Sequence, residues 1–153
     1  MQTNIQIREA NQADLSAVIH LLVDDDLGRQ RETEETVISQ SYYDAFAEIE
    51  QDPNNAIFVA ERDGQIIGAF QLMYLPSLSF QGGKRAQIES VRVATTLRGQ
   101  GIGRVMMRWA IDQARQNGCV MVQLMSSKSR ARAHHFYEQL GFSITHVGMK
   151  LML

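Results

Sequence analysis

Cysteine is almost missing: Cys119 is the only one in 153 residues. That excludes an internal disulfide and a cysteine-rich metal site, and it fits a reducing cytoplasm. An excess of one charge is missing too. The formal net charge is −2, so nonspecific nucleic-acid binding is not favoured, and no basic stripe is present. No apolar run approaches the roughly 20 residues that cross a bilayer, so no membrane partner is expected. The opening "MQTNIQIREA" has no basic stretch followed by an apolar one, so export is not expected. Repeats, low-complexity tracts and interdomain linkers are also lacking. What remains is 44% hydrophobic and 21% charged, which suits one domain, residues 1–153, with a sizeable core.

Apolar spacing predicts the elements. "IQIRE" (5–9) alternates as a strand. Asn11 stands as an N-cap with Asp14 three positions on, and Leu15, Val18, Ile19 and Leu22 follow at helical spacing. A second helix is expected from Thr33 to Gln51, with Ile38, Tyr42, Ala45 and Ile49 on one stripe, stopped by "DPNN". Asp63-Gly64 between two apolar runs signals a hairpin. "RAQIESVRV" (85–93) is a further strand. A helix with Ile102, Val105, Met106 and Trp109 aligned follows, then the apolar strand "CVMVQLM" (119–125). A short helix aligns Ala133, Phe136, Tyr137 and Leu140 and stops at Gly141. The tail "SITHVGMKLML" reads as a strand. The order β α α β β β α β α β points to an α/β or α+β sandwich around one sheet.

Between strand 85–93 and its helix lie Gly99, Gly101 and Gly103. Glycine is costly inside regular structure. At the start of a helix, however, the first N–H groups lack intrahelical partners and favour an anion. Glycines leave room for a pyrophosphate, and Arg98 and Arg104 add positive charge. The glycines alone fit a plain turn equally well. A P-loop would need Lys and Ser/Thr after the last glycine, where Arg104 and Val105 stand. A dinucleotide fingerprint would need glycine at 104 or 106, where Arg104 and Met106 stand.

The run Arg98-Gly-Gln-Gly101-Ile-Gly103 resembles the Arg/Gln-x-x-Gly-x-Gly/Ala signature of the GNAT superfamily of acyl-CoA-dependent N-acyltransferases. "ESVRV" before it and "AHHFYEQLGF" (133–142) after it are typical of the same family. The chain also looks similar to the subgroup that contains aminoalkylphosphonate acetyltransferases. The resemblance implies a mixed, mostly antiparallel sheet of six to seven strands flanked by about four helices. It implies acetyl-CoA as co-substrate and no metal. Arg98, Gly99, Gln100, Gly101, Ile102, Gly103 and Arg104 would hold the pyrophosphate, and the backbone of Val91 and Val93 would pair with the pantetheine arm. The strands 85–93 and 119–125 would splay to admit that arm.

The resemblance further implies acetyl transfer to a primary amine of a small molecule, by direct attack in a ternary complex. Such an amine, with pKa near ~10.4, is neutral in only about one molecule in a few thousand at pH 7, so a base is needed. The departing thiolate benefits from an acid. Tyr137, five residues before the Phe142 of "GF", occupies the family's acid position, although its place on an apolar stripe fits core packing as well. Glu89 is the candidate base; with Val91 and Val93 it is expected on one strand face, and a salt bridge with Arg85 is the plainer alternative. Arg130 stands where many family members carry a cofactor-contacting asparagine. His134 and His135 fit surface positions. Asp24, Asp25 and Asp26 end the first helix, where the dipole disfavours them. They suit either a cationic amine or a solvated loop. Exposed Leu78 and Phe80 would suit a homodimer contact. The alternatives are a non-catalytic acyl-CoA-binding regulator and an acetyltransferase of protein N-termini or lysines.

Overall fold

The computed structural model describes residues 4–32 and 37–153. The chain divides into two compact units, Met1–Gln123 and Leu124–Leu153. In the first, β1 (Gln6–Glu9) leads through a 3-10 turn into α1 (Leu15–Val23), then α2 (Gln40–Gln51), β2 (Asn55–Arg62), β3 (Gln65–Leu75), α3 (Ser79–Gly82), β4 (Arg85–Val93), α4 (Ile102–Gln116) and β5 (Met121–Leu124). The second contains α5 (Ala131–Glu138). The sheet order is β1-β2-β3-β4-β5. The first four strands pair antiparallel. β4 and β5 advance together, because Val120 N–H donates to Lys84 O at 2.8 Å and the Gln123 amide donates to Gln87 Oε1 at 2.6 Å.

Local chemistry explains most boundaries. Asn11 Oδ1 accepts the Ala13 N–H at 2.9 Å, and Asp14 Oδ2 accepts the Asn11 N–H at 2.8 Å, a reciprocal capping box. At the hairpin both Asp63 and Gly64 have positive φ, 52° and 75°, as a two-residue turn of the favoured hand requires. α3 is one turn rather than a true helix: Phe80 and Gln81 sit at φ 54° and 59°, and Leu78 and Phe80 are exposed.

Three expectations differ. α2 begins at Gln40 rather than Thr33, and the stretch from Thr33 to Thr36 lies outside the described residues. Its buried residue is Phe46, while Ala45 is exposed. Among the described residues the sheet has five strands, not six to seven: residues 143–153 carry no strand and are exposed. A strand is defined by its ladder, and alternation without a neighbouring strand does not make one.

The sheet buries both faces. On one, Phe70 lies over Trp109 of α4 and stacks on Phe58, with centroids 6.0 and 5.5 Å apart, and Met106, Met107 and Ala110 complete the layer. On the other, Val59 and Ala69 pack against Leu15, Val18 and Ile19 of α1 and Phe46 of α2. Each fully buried Val, Leu, Ile, Phe or Met among these contributes about 1.5–3 kcal/mol by leaving water.

Arg8 fastens β1 to both neighbours: its guanidinium donates to Asp14 at 2.7 and 3.0 Å and to Glu61 Oε2 at 2.9 Å. The Arg8 hydrogen bond holds the buried Asp14 carboxyl below the usual carboxylate range. A carboxyl with a depressed folded pKa contributes stability above its unfolded pKa and loses it as pH falls through the folded value. Asp14→Asn is therefore expected to cost roughly 1–3 kcal/mol at pH 7. In chemical denaturation, the gap from wild type should close as pH falls below about 3.9.

Candidate active site

β4 ends at Val93, a 3-10 turn spans Thr95–Leu97, and α4 starts at Ile102 with Gly101 as its N-cap. Gly99 and Gly101 have φ of 79° and 82°, and a Cβ on either would meet nothing within 4 Å. The requirement for glycine here is the left-handed backbone, not space. The loop is exposed from Arg98 to Gly101 on its residue surfaces, while Ile102 is buried and anchors the helix end. No Gly101 side chain caps this end of the 15-residue helix, and the positive pole of the dipole stands there. Gln100 is exposed; Gly103 and Arg104 are partly buried in the first turn.

Arg98 does not reach freely into solvent. Its Nε lies 3.3 Å from Val93 O, and its Nη2 lies 3.4 Å from Asp24 O and 3.8 Å from Asp25 Oδ1. Half of the side chain remains exposed. The aspartates after α1 are thus neither a solvated loop nor an open cation trap, apart from exposed Asp26. Asp24 accepts the Thr95 N–H at 2.9 Å, and Thr95 Oγ1 lies 2.9 and 2.8 Å from its two oxygens. The Thr95 amide holds the Asp24 carboxyl below its ordinary value. Asp25, only 5% exposed, accepts the Gly28 N–H at 3.1 Å and lies 3.8 Å from Arg92.

A bulge corrects the expected face of β4. Ala69 pairs with Arg92 and Gln71 with Glu89, so Phe70 opposes both Ser90 and Val91, and Ser90 takes φ 53°. Glu89 and Val93 consequently lie on opposite faces: Glu89 shares the α1 face with Gln71, and Val93 shares the α4 face with Gly68. Glu89 Oε1 accepts the Gln87 amide at 2.8 Å. The Val91 carbonyl accepts from Arg92 Nη1 at 2.9 Å. β4 is nine residues long and β5 four, so the Val91–Val93 end runs on past the β5 pairing that starts at Lys84.

In the second unit, Arg130 is the N-cap of α5, and Tyr137 packs edge-on against Phe136 and Phe142 at 5.2 and 5.9 Å. His134 Nε2 lies 2.9 Å from Ser127 O. Burial pushes the Cys119 thiol up from its ordinary value. Among the described residues, no group of three His, Cys, Asp or Glu side chains could hold a metal, and no helix is long and apolar enough to cross a membrane.

The Ser90 bulge and the Asp24–Thr95 contact had no direct sequence signal. The one hint was the adverse position of the aspartates at a helix C-terminus.

Residues 17–142 match the model of the acetyltransferase (GNAT) family. The aminoalkylphosphonate N-acetyltransferase of Salmonella typhimurium is 32% identical over 110 residues, 70% of this chain and 69% of that one. The glucosamine 6-phosphate N-acetyltransferase of Trypanosoma brucei brucei is 33% identical over 97 residues, 63% and 64% of the two chains. A crystal structure of a transcriptional regulator from Bacillus halodurans C-125 superposes with TM-score 0.95 at 45% identity, covering 98% of this chain and 100% of the other.

Gly101→Ala forces a side chain into the left-handed region at about 1–2 kcal/mol. Calorimetry is expected to show coenzyme A binding weakened roughly tenfold. Gly101→Asn, a residue that visits this region, should lose less. Equal affinity for wild type and Gly101→Ala would separate the left-handed turn from binding.

Proposed function

This chain belongs to the acetyltransferase (GNAT) family, and we propose that it moves the acetyl group of acetyl-CoA to the primary amine of a small molecule. Acetyl transfer from acetyl-CoA is the chemistry of the family; the acceptor and the residue roles are our reading. We also read residues 1–153 as one working domain, because the family match runs through both compact units. The carrying observation is the left-handed pair Gly99 and Gly101 at the start of α4, directly after β4. A diphosphate seated there receives backbone N–H groups and the helix dipole at no side-chain cost. Arg98, Gln100, Ile102, Gly103 and Arg104 complete that cradle, Arg130 supplies a further cofactor contact, and the β4 end at Val91 and Val93 offers backbone to the pantetheine arm.

Transfer is direct. The amine, relieved of its proton, attacks the thioester carbonyl; the C–N bond forms, the C–S bond breaks, and CoA leaves as thiolate. Cys119 is a poor acyl carrier, since its raised thiol pKa keeps it protonated at neutral pH. Glu89, held by the Gln87 amide, accepts the amine proton, directly or through water. Tyr137 returns a proton to the thiolate. A primary amine bearing a phosphonate or phosphate heads the acceptor list, because two curated relatives are named for such substrates. Exposed Leu78 and Phe80 support a homodimer, and the single cysteine supports a cytoplasmic setting.

The test is an amine panel with acetyl-CoA, read by released thiol: aminoalkylphosphonates, glucosamine 6-phosphate, an aminoglycoside, a polyamine and a peptide N-terminus. Turnover of a small amine is expected, and binding of acetyl-CoA without turnover of any amine would overturn the acceptor reading. On the best acceptor, Tyr137→Phe should lower kcat severalfold or more in a folded protein; an unchanged kcat removes Tyr137 from the mechanism. Phe80→Asp should shift sedimentation towards monomer, and identical profiles would remove this surface as the contact.

A further inference from the structure

The aspartates that close α1 are unused by the reaction, yet they touch the segment that leads into the phosphate loop. We propose that Asp24 and Asp25 are positioning residues for coenzyme A, holding the β4–α4 loop ready before the ligand arrives. The inference rests on the diphosphate reading of that loop.

Placing two carboxylates here is doubly adverse. They follow the C-terminus of α1, where the dipole opposes negative charge, and they lie beside a loop that is to receive an anion. Both charges are instead consumed by that loop and its strand. Asp24 takes both donors of Thr95, its N–H at 2.9 Å and its hydroxyl at 2.8–2.9 Å. This fixes the first residue after Ala94, where the chain leaves β4 and turns. Asp25, buried, lies between Arg92 of β4 and Arg98 of the loop, 3.8 Å from each. The Asp24 carbonyl and the Val93 carbonyl take further N–H groups of Arg98. The chain is thus tied at Arg92, Thr95 and Arg98 to residues 24 and 25, the last tie three residues before the left-handed Gly101. Arg98 gains a fixed orientation with half its surface still open to a phosphate. A loop ordered in advance loses less freedom when it binds, and the saving appears as affinity.

The test needs no knowledge of the amine. Coenzyme A is titrated calorimetrically into wild type, Asp24→Ala, Thr95→Val and the double variant, and amide hydrogen exchange is followed on each. Asp24→Ala is expected to weaken binding at least tenfold, and Thr95→Val less, because its amide bond to Asp24 persists. The double variant should bind within about twofold of Asp24→Ala, since both changes break one interaction. Exchange should quicken at 95–104 while the β2 and β3 amides stay protected. Wild-type affinity in Asp24→Ala, losses that multiply in the double variant, or loosening spread over the sheet would each overturn the clamp. Absence of coenzyme A binding by wild type would overturn the diphosphate reading itself, and the clamp with it.

Discussion

Much of this structure depends on what happens in the eight residues between the end of β4 and the start of α4. A helix cannot satisfy its own first amides. In most helices a Ser, Thr, Asp or Asn side chain answers them. Here the N-cap is Gly101, which has no side chain to offer, and no side-chain cap is formed. An anion at this end meets the positive pole of the helix dipole. The rest of the first unit can be seen as holding that helix end still: Ile102, Met106 and Met107 bury α4 on the sheet, and the aspartates after α1 hold the approach from β4.

The Ser90 bulge divides the labour on β4. Before it, Gln87 and Glu89 face the α1 side, joined to each other and to Gln123 by amide hydrogen bonds. After it, Arg92 returns to that side and meets Asp25, while Val93 turns to α4. One extra residue therefore places a carboxylate and an arginine on the same face although they are three apart in sequence. In a regular strand they would point to opposite sides. The Gln87–Glu89 and Asp25–Arg92 contacts share that face because of this single irregularity.

Family membership agrees with this layout without dictating it. The chain is an acetyltransferase of the GNAT family by a match over most of its length. Around that layout the structure forms the Gln87–Glu89 contact, the packing of Tyr137 among Phe136 and Phe142, and the Asp24–Thr95 link.

Local signals in the sequence sufficed for the capping box at Asn11, the Asp63-Gly64 turn, the limits of β4 and the glycine loop before α4. In each, neighbouring residues supply the physics: a side chain reaching its own backbone, a positive φ, or an apolar stripe of one period. Tertiary structure alone decided the rest. The apolar alternation of the tail has no ladder in the single chain, so it is not a strand. The shared face expected for Glu89 and Val93 disappears because β3 has one residue where β4 has two. The aspartates at 24 and 25 meet Thr95, Arg92 and Arg98 from about seventy residues away. Local order follows from short-range sterics and hydrogen bonds; long-range pairing depends on which elements the packed core brings together, and no window along the chain contains that information.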